Sequence, residues 1–285
     1  MKYATPTPLD YFAALVAQDD GLNLLEAAAS LAQDEQPRLD VQAVLAEVDG
    51  LARRLRERIA TDATPPERLG LLTKFFHGEL GFAGNLNNYY AADNSFVHRV
   101  LETRRGIPIT LAVLLLELGE QIGLHMAGVA FPGHFLVKCR IGLGEVVIDP
   151  FTGAPLSPTR LDERLTVYRH GSGLPDDVEL PLAFFLRAAT PRQILGRMLR
   201  NLKEVHRAAQ DWPRLLAVQQ RLVVLLPDEP AERRDRGLVF DALGATSAAA
   251  DDLAFYLGQR GDAPDAAMLR ERLAVLLEQR SPPLQ

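Results

Sequence analysis

Between Gly106 and Phe151 the hydrophobic pattern changes from helical to alternating, and that change limits what the chain can fold into. Pro108 to Ile122 (PITLAVLLLELGEQI) predicts an apolar helix, opened by proline in its first turn and stopped at Gly123. Two β-branched and aromatic runs follow, Met126 to Phe131 and Phe135 to Ile141, parted by Pro132-Gly133. Gly142 to Gly144 supply a hairpin turn, and Glu145 to Ile148 return as a third strand. Strands joined by turns this short pair antiparallel. A helix followed by three such strands is an α+β layout, not a nucleotide-binding βαβ crossover, and the chain has no GxGxxG or Walker loop.

The flanks of this block are helical. Leu9, Phe12, Leu15 and Val16 share a helical face, and Leu22 to Leu31 form a second helix. Asp40 is placed to cap a third, which buries Val41, Val44, Leu45 and Val48 and runs on through Leu51, Leu55 and Ile59. Pro65 and Pro66 open a fourth, carrying Leu69, Leu72, Phe75 and Phe76. Residues 78–98 are rich in Gly, Asn and Tyr and read as a long loop of the kind that often carries function. Residues 153–190 read as a Pro- and Gly-punctuated connector. From Pro191 onward the chain is helical and weakly repetitive. A shift of 34 residues pairs Val205 with Val239, Ala208 with Ala242, Leu222 with Tyr256 and Pro230 with Pro264, which is the tetratricopeptide period. Leu269, Leu273 and Leu276 would then lie on a capping helix.

Composition narrows the function classes. The net charge is −6, without a long Lys/Arg run, so no nucleic-acid partner is expected; Arg53, Arg54, Arg56 and Arg58 sit at helical spacing as a solvated face. The longest apolar run, Leu111 to Leu118, is too short to cross a bilayer, and no membrane partner is expected. A single cysteine, Cys139, rules out an intrachain disulfide and suits a reducing cytoplasm; Met1 to Leu9 lacks the apolar stretch of a signal peptide. His77, His98 and His125 show no metal spacing, so neither metal nor other cofactor is expected.

The residues able to carry chemistry cluster on the central block. His134 follows the Pro-Gly turn, and Asp149 ends a neighbouring strand with the Gly142–Gly144 turn about midway between them. A hairpin sets two such residues side by side, and a carboxylate beside a ring N–H fixes the imidazole tautomer and raises its basicity. A nucleophile would belong at the start of the helix packed on these strands, where the dipole lowers a thiol pKa.

The runs RRGIPITLAVLLLELGEQIGL, GVAFPGHFLVK and VIDPFTG, with FHGELGFAGNLNNYYAADNSFVHRVLETRRG upstream, resemble the SirB family of bacterial transglutaminase-like proteins, from about residue 10 to 280. That resemblance implies a transglutaminase-like (papain-like) α+β core with a helical N-terminal part and a C-terminal tetratricopeptide-like region. It divides the chain into residues 1–180 (helical 8–77, core 78–155, connector 156–180) and 181–285. His134 and Asp149 match the family's His and Asp. The position where transglutaminase-like folds open the central helix on a nucleophilic cysteine, counted back from Gly123, holds Pro108.

Proline carries no nucleophile, so His134 and Asp149 read as a degenerate triad. Thr110 is the nearest hydroxyl, though it lies on a different helix face. Cys139 has an odd offset from His134 along one strand and is expected to point into the core. Asn85, Tyr89, Tyr90 and Asn94 are candidates to line a cleft over the helix start, with Arg104 and Arg105 at its rim for a carboxylate or phosphate. Against this, the Asn residues suit turns and the arginines suit pairing with Glu102 or Asp93.

Two functions stay open. One is a non-catalytic binding or regulatory module whose tail, residues 191–285, docks a protein or peptide. The other is an amide-bond hydrolase or acyltransferase in which Thr110 or a water works with His134 and Asp149.

Overall fold

The computed structural model describes residues 6–172 and 181–280, which pack as two compact units: Asp19–Met198, and Met1–Gln18 with Leu199–Gln285. The first holds helices α2 (Leu24–Ser30), α3 (Val41–Arg56), α4 (Pro65–Thr73), α5 (Val97–Thr103) and α6 (Pro108–Gln121). Their ends are set by local chemistry. Asp40 Oδ1 accepts the Ala43 N–H at 3.2 Å to start α3. At α4 the Thr64 N–H donates back to Glu67 Oε2 at 2.8 Å. Gly123, at φ +76°, ends α6 in the left-handed region that glycine tolerates.

Helix α6 is the spine of this unit, with Ile109, Leu111, Val113, Leu114, Leu115 and Leu118 all essentially inaccessible. Each such side chain contributes about 1.5–3 kcal/mol of transfer free energy. Against α6 lies a four-stranded antiparallel sheet in the order β3 (Met126–Val129), β4 (Leu136–Ile141), β5 (Gly144–Ile148), β6 (Pro155–Leu156). Gly119 lets the sheet approach: a Cβ there would lie 2.2 Å from Met126 Sδ. Cys139 is fully buried on β4, and burial raises its thiol pKa.

Two sequence expectations need correction in this unit. The stretch from Gly78 is not all loop. A π-helical turn, Lys74–Glu79, carries α4 past Gly78, and Ala92–Ser95 form a 3-10 turn. Between them β1 (Ala83–Gly84) pairs in parallel with β2 (Arg105–Gly106). Nor is the region after Gly153 a plain connector, because Pro158–Ser172 form helix α7. Leu161 and Leu165, four apart, bury one face of α7 against Val129, Phe131, Leu136 and Val147. Residues 173–180 of the expected connector lie outside the described residues. A short helix α8 (Leu182–Phe185) precedes α9 (Pro191–Ala208).

The other unit is a helical array: α9, α10 (Trp212–Leu225), α11 (Pro230–Ala242), α12 (Thr246–Gln259) and α13 (Ala266–Arg280). Its later helices close on Ala249, Leu253, Tyr256, Leu269 and Leu276, with Leu269 and Leu276 on the capping helix expected from the repeat, whereas Ala208 and Ala242, the small residues paired by the period, are exposed. The division drawn at 180/181 differs from the packing in two respects: the units part at Met198/Leu199, within α9, and the first helix, α1 (Pro8–Leu15), belongs with the C-terminal helices. The reason is Phe12, fully buried in this unit, with the Arg221 guanidinium 4.9 Å above its ring. Phe12→Ala is therefore expected to destabilise the helical-repeat unit, not the sheet-containing one, by about 3–5 kcal/mol. Hydrogen exchange resolved along the chain checks this: loss of protection should concentrate in α10 and its neighbours.

Candidate functional site

His134 sits in the turn just before β4, its backbone N–H bonded to the Phe131 carbonyl, and Asp149 follows the last residue of β5. The β4–β5 register, Val137 opposite Ile148, brings the two side chains together. His134 Nε2–H donates to Asp149 Oδ1 at 2.8 Å, which fixes the tautomer and leaves Nδ1 as the basic nitrogen. The imidazole is 23% exposed and the carboxylate 3%. Asp149 is held from two further sides: the Phe151 N–H donates to Oδ1 at 3.0 Å, and Arg164 Nη2 on α7 donates to Oδ2 at 3.0 Å. Burial pushes its carboxyl pKa up, but the bonds from His134, the Phe151 N–H and Arg164 outweigh burial and hold it below the ordinary carboxylate value.

Around this pair stand Tyr89, one of the cleft candidates, and residues that the sequence did not single out. The His134 and Phe151 rings meet edge-to-face at 6.4 Å between centroids, and the Tyr89 ring lies 6.2 Å from that of Phe151. Arg197 Nη1 donates to the Phe131 carbonyl at 3.3 Å and packs over Phe135. Burial lowers the Arg197 pKa while nearby Tyr89 and Tyr168 raise it, the net shift being downward. His77, on the π-helical turn, donates Nδ1–H to the Phe82 carbonyl at 2.8 Å; its Nε2 is buried without a partner, and its ring packs on Gly153. Burial lowers its pKa, outweighing the opposing pulls of the Phe82 carbonyl and Asp149. Arg164 had a sequence signal in the Leu161/Leu165 spacing of α7; Arg197 and His77 had none, because only the folded chain brings them near this hairpin.

The remaining candidates are brought together only in part. Pro108 is the buried first residue of α6. Thr110 is fully buried and its Oγ1 makes no hydrogen bond, so it is not engaged with His134. Asn85 and Asn94 build the loop: Asn85 Nδ2 donates to Asn94 Oδ1 at 2.9 Å, and Asn94 Nδ2 donates to the Asn88 and Tyr89 carbonyls at 2.6 and 3.1 Å. The Asn94 carbonyl in turn accepts the Ile107 N–H at the start of α6. Tyr90 stacks edgewise on Tyr89 and is 81% exposed.

The arginines do not pair with Glu102 or Asp93, as the sequence suggested, because Arg99 takes both. Arg104, in the left-handed region at φ 59°, lies over the Phe82 ring and 3.8 Å from Glu47. Arg105 Nη1 donates to the Gly81 and Arg104 carbonyls at 2.6 and 2.9 Å. The Arg105 guanidinium is thus engaged in holding the loop, while Arg104 Nη1 is buried without a hydrogen-bond partner.

The sign of the Asp149 shift predicts an acid-stability limb. The unfolded carboxyl titrates near 3.9, while the folded one stays ionised to lower pH. Its contribution is complete above about pH 5 and is lost as pH falls through the unfolded and then the folded pKa. Asp149→Asn should lower stability at neutral pH and flatten the fall in urea midpoint between about pH 5 and pH 3; an unchanged slope would contradict the assignment.

Residues 42–200 match the family described as the transglutaminase-like superfamily, and residues 202–274 match the tetratricopeptide repeat. A UPF0162 protein of Xylella fastidiosa (strain 9a5c) is 36% identical over 263 residues, 92% of each chain. Protein SirB1 of Salmonella typhimurium is 28% identical over 242 residues, 84% of this chain and 88% of that one. Among solved structures, that of menin superposes with a TM-score of 0.43 and 12% identity, covering 90% of this chain and 71% of menin, a likeness too slight to bear on the fold. With matches of this extent in a single order along the sequence, the chain belongs to the SirB1/UPF0162 family: a transglutaminase-like domain followed by tetratricopeptide repeats.

Proposed function

We propose that this protein is a non-catalytic transglutaminase-like protein, a binding or regulatory module whose helical-repeat unit docks a protein or peptide. The observation that carries the reading is the start of α6. Pro108 offers ring carbons where a thiol would stand, and neither the sealed Thr110 hydroxyl nor the buried Cys139 thiol hydrogen-bonds His134. A base and its orienting carboxylate are present without a side-chain nucleophile to activate.

Docking is supported by a groove of about 410 Å³ within the helical-repeat unit. Trp212, Leu238 and Met268 line it, and Leu238 and Met268 are 39% and 60% exposed. Its charges are compensated internally, since Arg234 pairs with both Asp235 and Asp265 at 2.7 Å. The contribution to binding would therefore come from the apolar surface.

A second reading, an amide-bond hydrolase or acyltransferase using water, is favoured by one observation: His134 keeps its bond to Asp149, is part-exposed and has Nδ1 available for a water proton. Incubation with amide and glutamine-donor substrates separates the two. The unsubstituted chain should show no turnover that His134→Ala removes, and any such turnover overturns the non-catalytic reading. Thr110→Val should leave stability unchanged or raise it by up to about 1 kcal/mol, because it removes an unpaired buried hydroxyl. For docking, Leu238→Glu and Met268→Glu should each abolish retention of a co-purifying partner without moving the thermal midpoint; retention by both variants would end that part of the proposal.

A further inference from the structure

The open edge of β3 is a place where the sheet is unfinished. Strand β3 is outermost, with β4 on one side only. The His125 carbonyl accepts the Arg140 N–H at 2.9 Å, so in the register Met126–Cys139 the odd residues turn their main-chain groups toward β4 and the even ones turn theirs outward. The chain covers half of that outer edge itself. Ala189 N–H donates to the Gly128 carbonyl at 2.8 Å, and Ala188 bridges to Val129. Pro191 then starts α9 and the chain turns into a helix. Among the described residues, nothing pairs with the outward N–H and C=O of Met126.

That uncovered half faces a cavity of about 810 Å³ within the Asp19–Met198 unit, a volume in the range of ligand pockets. Its walls include Leu24, Leu25, Val113, Leu116 and Ile194, and its charged lining is Glu117 and Glu120, with no lysine or arginine. Gln121 Nε2 donates both to Glu117 Oε1 at 2.8 Å and to Asp49 Oδ1 at 2.7 Å, so a third carboxylate stands beside the rim.

We propose that this groove is a strand-addition site for an extended basic peptide segment of a partner protein. A helix satisfies its own main chain and gains nothing from the edge of Met126, whereas an extended chain pairs with it and continues the line begun by Ala188–Ala189. In such a chain alternate side chains face opposite ways, and the set turned toward α6 meets Glu117 and Glu120, whose charge selects lysine or arginine and rejects acidic peptides. The site shares no residue with the His134–Asp149 pair or with the helical-repeat groove, so its failure would leave those readings untouched.

The test uses the full chain and a fluorescein-labelled Val-Lys-Leu-Lys-Val peptide, followed by fluorescence anisotropy. Saturable binding is expected, weakened about tenfold or more when the lysines are exchanged for glutamates and by the exposed-site variant Glu120→Lys. N-methylation of the peptide at successive positions should abolish and spare binding alternately, because only every second N–H faces β3; this arm leaves the protein unaltered. No saturable binding, equal affinity for the acidic peptide, indifference to Glu120→Lys, or an N-methyl scan without alternation would each overturn the proposal. So would a concentration-dependent dimer that Glu120→Lys dissolves, which would give the edge to a second copy of the chain.

Discussion

The Asp149 carboxylate is the point on which the transglutaminase-like unit depends. It accepts from the turn before β4 through His134, from its own loop through the Phe151 N–H, and from α7 through Arg164. A carboxylate this buried costs several kcal/mol to desolvate unless its lone pairs are used, and here three donors from three segments use them. Losing one donor would leave a buried charge undercompensated, so the arrangement holds the hairpin, the loop after β5 and α7 in one geometry. The same bonds orient His134 as a base would be oriented. Structural support and the orientation of His134 are therefore one set of interactions.

The loop ahead of α6 is built on the same economy of donors. Asn94 is buried, spends its side chain on the Asn88 and Tyr89 carbonyls and on Asn85, and lends its own carbonyl to the first turn of α6. Gly84 comes so close to Phe151 that a Cβ would lie 2.1 Å from the ring, and its N–H bonds the Phe151 carbonyl at 2.9 Å. This contact joins the β1–β2 pair to the loop carrying Asp149. The polar and aromatic composition that suggested a ligand-binding loop is thus spent largely on the loop's own main chain, with the exposed Tyr90 and half-exposed Tyr89 as its outward groups.

In the helical-repeat unit, the pairing of Val205 with Val239 and of Pro230 with Pro264 relates alternate helices, α9 to α11 and the start of α11 to the approach to α13, and α10 and α12 begin at Trp212 and Thr246, one repeat apart. The recruitment of α1 is what the period could not show. A helix of eight residues is too short to be stable alone, and Phe12 decides where it packs.

The sequence alone determined the elements whose causes are local. The helix opened by Pro108 and ended by Gly123, the three antiparallel strands with a turn at Gly142, the Asp40 cap, and the adjacency of His134 and Asp149 all follow from spacing, proline, glycine and capping chemistry acting over a few residues. That α6 opens on a proline was equally plain, because it is a matter of residue identity. Tertiary structure decided whatever depends on contacts between distant segments: that Arg164 completes the cradle of Asp149, that Arg104 and Arg105 are spent on Phe82 and the Gly81 carbonyl, that the Thr110 hydroxyl is sealed, and that α1 joins helices nearly 200 residues away. Periodicity reports which face of a segment is buried, but not against what, and partners at that range are chosen only when the whole chain has packed.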